Sequence, residues 1–170
     1  MAEITLEEYH LYSPYYVDSE ARIPASFKYA DFFKKLNNLP ENIGNFFRED
    51  VRIAEFVKTV IDQNNLNEYH GQEIARIIRD LLFNDIYLGD IINQIKERLK
   101  IDDQKAKTIA ALIVTDLFGP ILEDLKKRHI EKFAREIRKQ QLIQPKGPEI
   151  PKPPPPQKET TDEIINLKNL

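Results

Sequence analysis

The stretch IARIIRDLL, residues 74–82, places Ile74, Ile77, Ile78, Leu81 and Leu82 at i, i+3, i+4, i+7 and i+8. That spacing tracks the 3.6-residue turn, so all five side chains fall on one side of a helix and the polar residues on the other. Three other segments carry the same template. Ile53, Phe56, Val57, Val60 and Ile61 reproduce it, and Leu88, Ile91, Ile92, Ile95 and Leu99 come close, as do Ile109, Leu112, Ile113 and Leu117. Turn chemistry separates them: Asn64-Asn65-Leu66-Asn67, Asn84-Asp85 and Lys100-Ile101-Asp102-Asp103, with Asp102 placed to cap the helix after it.

Towards the N-terminus, Tyr29, Phe32, Phe33 and Leu36 form one more apolar side. The sequence NLPE, residues 38–41, reads as a helix start, with a polar cap, proline in the first turn and an acid behind it. Ile43, Phe46 and Phe47 supply that helix's apolar face. The predicted fold is all-α: a compact bundle of about five or six helices over residues 26–120. An internal echo runs through it, since IARIIRDLLFNDI, residues 74–86, aligns with IAALIVTDLFGPI, residues 109–121. A duplicated helix pair would give this pattern, and so would two unrelated amphipathic helices.

Residues 1–25 form an acidic, Tyr-rich arm with Pro14 and Pro24 as breakers. It is expected to be irregular, and either to pack over the helices or to grip a partner. Gly119-Pro120 should end or kink the helix before it. A long basic helix, 121–144, then follows, with sparser apolar positions at Leu122, Leu125, Phe133 and Ile137. Its basic face consists of Lys126, Lys127, Arg128, Lys132, Arg135, Arg138 and Lys139, with His129 among them. These cations favour the helix dipole and solubility. The acidic arm could dock on them, or they could touch RNA or a membrane surface.

Residues 145–158, PKGPEIPKPPPPQK, form a proline-rich spacer that favours an extended, semi-rigid chain. It reads as an inert linker or, through its PxxP patterns, as a ligand for an aromatic groove. Residues 159–170, ETTDEIINLKNL, combine a capping box, Thr160 to Glu163, with the apolar residues Ile164, Ile165, Leu167 and Leu170. A helix this short is marginal alone. Either it frays, or it anchors on a partner through those four side chains.

The bulk composition excludes more than it selects. A net charge of −3 and a pI near 5.7 give no global attraction to nucleic acid or anionic membrane. The absence of cysteine removes disulfides and thiolate chemistry and fits a reducing, cytoplasmic setting. The N-terminal residues lack a secretory pattern, and no uncharged apolar run approaches the ~18 residues of a membrane span. The five glycines form no phosphate loop, and Ser13, Ser19 and Ser26 lie in no nucleophile motif. His70 and Glu73 have a spacing that can hold a metal but no matching second pair. No catalytic, cofactor or metal residues are therefore assigned. The expected function is a non-enzymatic helical adaptor or scaffold, binding protein partners or a second copy through the bundle and the tethered 159–170 segment. The alternative is a nucleic-acid- or ribosome-associated protein working through 126–139.

Overall fold

The structure, a computed structural model, describes residues 4–18 and 29–143. Eight α-helices and no strand occur among them, forming a compact helical bundle. They are α1 (Leu6–Tyr12), α2 (Tyr29–Asn37), α3 (Glu41–Arg48), α4 (Asp50–Asn64), α5 (Glu68–Leu82), α6 (Ile91–Leu99), α7 (Asp103–Leu112) and α8 (Leu122–Ile143). None is long and apolar enough to cross a membrane. The spacer and the segment 159–170, including Ile164, Ile165, Leu167 and Leu170, lie outside the described residues.

The centre of the fold is a pair of helical hairpins, α4–α5 and α6–α7, that pack on each other through α5 and α6. Their turns are built alike. Asn65 and Lys100 both take the left-handed backbone conformation, with φ of 51° and 54°. Leu66 and Ile101 follow, each partly buried against the core, and Asn67 and Asp102 then cap the next helix. The Asp102 carboxylate accepts from the Lys105 N–H at 2.9 Å. The correspondence has one offset of 35 positions throughout: 65 with 100, 67 with 102, 74 with 109, 83 with 118. The sequence echo therefore extends through the turns, at a period within the ~33–47 residues of helical repeats.

The stripe of α5 is buried at all five positions, Ile74, Ile77, Ile78, Leu81 and Leu82. Its counterparts Ile109, Ile113 and Leu117 are buried as well. The hairpins end differently. The Phe83 N–H donates to the Arg79 carbonyl four residues back, while the Phe118 N–H reaches the Ile113 carbonyl five residues back. Ile113–Leu117 is thus a π turn, followed by a 3₁₀ turn, Gly119–Ile121, containing Pro120. The break expected at Gly119-Pro120 is there, and it redirects the chain into α8.

The aromatic residues close one side of the core. Phe47 stacks on Phe83 with ring centroids 5.3 Å apart, and Phe32 meets Phe83 edge-on at 5.4 Å. On α2 only Phe32 and Leu36 point inward, leaving Tyr29 and Phe33 exposed. At NLPE, Pro40 itself occupies the cap position without a side-chain cap, so the polar cap read from the sequence is not used.

The acidic arm is helical over Leu6–Tyr12 and irregular over residues 13–18. Leu6–Tyr12 is a helix with a reciprocal cap: the Glu8 N–H donates to Thr5 Oγ1 and the Thr5 N–H to Glu8 Oε2. It packs on α4 and α5, and a Cβ added at Gly71 would stand 2.3 Å from Ile61 Cδ1 and 2.6 Å from the Tyr12 ring. The equivalent position in the second hairpin is the buried Ala106. Glycine is needed at 71 because α1 lies on α5 there.

Candidate functional site

Among the described residues, Glu8 and Asp18 of the arm find their partners on α4 and α5 and not on the basic helix. Glu8 pairs with Lys58 at 3.0 Å, and its carboxyl is held below the usual range by the Thr5 backbone N–H, with Lys58 adding to this. Tyr9 Oη donates to Asp50 at 2.6 Å, and burial reinforced by that carboxylate pushes its phenol well above the ordinary value. The almost fully buried Asp18 joins both arginines of α5: one oxygen accepts from Arg76 Nε at 2.8 Å, the other from Arg79 Nη1. Burial opposes the Arg76 charge, but Asp18 and Glu73 outweigh it and raise its pKa. Arg79 also reaches Asp80, which accepts from Arg98 of α6 at 2.8 Å. The network ties residues 13–18, α5 and α6 into one unit.

Several sequence candidates become structural when placed. His70 closes a reciprocal cap with Asn67, and Glu73 bonds Arg76 at 2.6 Å. Among the described residues no three His, Asp or Glu side chains converge as metal ligands. Ser13 is buried, donating to Asp50 and accepting from the Tyr15 N–H.

The basic stretch of α8 divides in two. His129 is not on a basic face but fully buried. Its Nδ1 accepts from the Leu88 N–H at 3.0 Å, which leaves the proton on Nε2 to donate to the Leu81 carbonyl at 2.9 Å. Arg128 Nη1 donates to the Leu82 carbonyl at 2.8 Å, and Lys132 Nζ donates to the Asn84 carbonyl. Three carbonyl groups at the end of α5 and in the turn after it, those of Leu81, Leu82 and Asn84, thus accept from α8, the Leu81 carbonyl accepting from the Asn84 N–H as well. Lys126, Lys127 and Arg138 stay exposed, with Lys126 paired to Glu123. The side chains of Arg135 and Lys139 lie outside the described residues.

A cleft of about 520 Å³ opens where α2, α5 and α8 meet. Its floor is the rings of Phe32 and Phe83, and its walls carry Lys34, Arg79, Asp80 and Arg128. Lys35 bridges to Asp85 at the edge, with Nζ 5.9 Å from the Phe83 centroid. Most charges here are matched within the chain. Arg128 and the exposed Lys34 and Asp31 are not: none of the three has an ion-pair partner among the described residues. Arg128 is half-buried, and that burial lowers its pKa, with Asp85 the one charge nearby that favours the cation. A half-desolvated guanidinium with open donors above an aromatic floor suits a carboxylate borne on an apolar segment. Sequence reading grouped Arg128 with its neighbours on α8. It could not separate them, because the partners of Arg128 lie more than forty positions earlier.

Comparison with protein-family models, curated proteins and solved structures returns no match to this chain.

Proposed function

We propose that this protein is a non-enzymatic, cytoplasmic helical adaptor that holds a protein partner, or a second copy, in the cleft between α2, α5 and α8. Residues 159–170, carried on the spacer 145–158, engage a further site through Ile164, Ile165, Leu167 and Leu170. The observation that carries this reading is Arg128, a half-buried cation without a carboxylate partner among the described residues, set over Phe32 and Phe83. An acidic amphipathic peptide matches both its charge and its floor.

The nucleic-acid alternative draws on 126–139, but Arg128 and Lys132 donate to carbonyls of their own chain. Lys127 and Arg138 remain exposed for such a contact. Quantitative affinity capture with the full chain and its Lys34→Glu variant, both in native lysate, tests the two readings together. Loss of specific protein partners in the variant supports the adaptor. An unchanged partner set, or capture of RNA that weakens steeply with salt, refutes it.

A further inference from the structure

We infer that the chain's own C-terminal segment, 159–170, seats in the cleft between α2, α5 and α8 when no partner is bound. Asp162 and Glu163 then face Lys34 and Arg128. The inference rests on reading the cleft as a peptide site and names its resident occupant.

Charge is the first argument. The segment carries Glu159, Asp162 and Glu163 against Lys168, while the cleft sets Lys34, Lys35, Arg79 and Arg128 against Asp31, Asp80 and Asp85, an excess of one cation, with Lys34 and Arg128 lacking ion-pair partners among the described residues. The opposing surpluses meet at the half-buried Arg128, where solvent screens charge less than on an open surface.

Reach is the second. Arg128 stands fifteen residues before the end of α8 at Ile143, about 22 Å along the axis at ~1.5 Å per residue. Residues 144–158 add fifteen more, and a proline-rich sequence at ~3.1 Å per residue covers about 46 Å. The spacer is therefore about twice as long as the return requires, so the segment arrives without strain. Folding energetics is the third argument. Twelve residues with a capping box are too few to hold a helix alone in water, and docking supplies the missing contacts. Tethering makes a weak contact sufficient, because short linkers give effective concentrations in the millimolar range.

The test is zero-length carbodiimide crosslinking of the full chain, mixed from ¹⁴N and ¹⁵N preparations, followed by mass spectrometry. The expected product joins Lys34 to Asp162 or Glu163 within one isotope. Lys34→Glu should abolish it, and combining Lys34→Glu with Glu163→Lys should restore a reciprocal crosslink. Lys34 is exposed and caps nothing, so its variant keeps the fold, checked by thermal melting. No such crosslink, or one found only between isotopes, overturns the inference, the latter pointing to a second copy. Partner capture that needs Lys34 without any internal crosslink would sink the latch and spare the adaptor. An internal crosslink with partner capture indifferent to Lys34 would do the reverse.

Discussion

Replacing His129 with leucine removes one imidazole that serves two buried backbone groups. The Leu88 N–H loses its acceptor, while the Leu81 carbonyl loses one of two donors and keeps the Asn84 N–H. An unsatisfied buried polar group costs about 1–3 kcal/mol and a lost hydrogen bond about 0.5–1.5 kcal/mol, so the two together cost about 1.5–4.5 kcal/mol. The extra apolar surface of leucine offsets part of this, about 1–2 kcal/mol. The expected net loss is about 1–3 kcal/mol, which at an m-value near 2 kcal/mol/M lowers the urea midpoint by about 0.5–1.5 M. Glutamine can present both a donor and an acceptor, so His129→Gln should lose roughly half as much or less. The same geometry fixes a pH dependence. Burial holds the imidazole pKa below its ordinary value, and Arg128 and Lys132 oppose a second proton. Nδ1 cannot take that proton while accepting from Leu88. The unfolded chain, with His129 near pH 6.5, then binds the proton that the folded chain refuses. The stabilisation is complete above about pH 6.5 and declines as pH falls towards the depressed folded value, at up to about 1.4 kcal/mol per unit. Urea melts between pH 7.5 and 5.5 should show this slope in the native protein and a shallower one in His129→Gln. Identical slopes in the two proteins would refute the lowered pKa of the buried His129.

Asp18→Asn removes the buried carboxylate that Arg76 and Arg79 share, leaving them Glu73 and Asp80, and should cost about 1.5–3 kcal/mol in a thermal or urea melt, whereas a surface ion pair would cost under about 1 kcal/mol. Gly71→Ala gains about 1 kcal/mol of helix propensity, but its methyl meets Ile61 and the Tyr12 ring. Overpacking of about 1–3 kcal/mol should win, and faster proteolysis between α1 and α2 would report the loosened contact. Tyr9→Phe deletes the donor to Asp50 and should cost about 0.5–1.5 kcal/mol, with the change read from the urea midpoint.

The stripes of α4 and α5 were legible because burial on one side forces a helical period, and Ile53, Val57, Ile74 and Ile78 are all buried as that period requires. The Asn67 and Asp102 turns were legible because their chemistry is local. The helix α1 was missed. Pro14 and the tyrosines suggested an irregular arm, whereas the Thr5–Glu8 cap and the contact with Gly71 decide the matter. The role of His129 was illegible for another reason: its partners are backbone groups of Leu81 and Leu88, and backbone groups leave no mark in the residue alphabet. The cleft shares that fate, since Lys34, Phe83 and Arg128 come from three distant segments.

The capping of α5 from α8 also sets an order on biosynthesis. Residues 50–82 leave the ribosome with their apolar stripes complete and can pair as a hairpin at once. The Leu81 carbonyl can take the Asn84 N–H at once, but those of Leu82 and Asn84 must wait for a helix made some forty residues later. Until then water holds those two carbonyls, so the last turn of the first hairpin is completed only when α8 arrives.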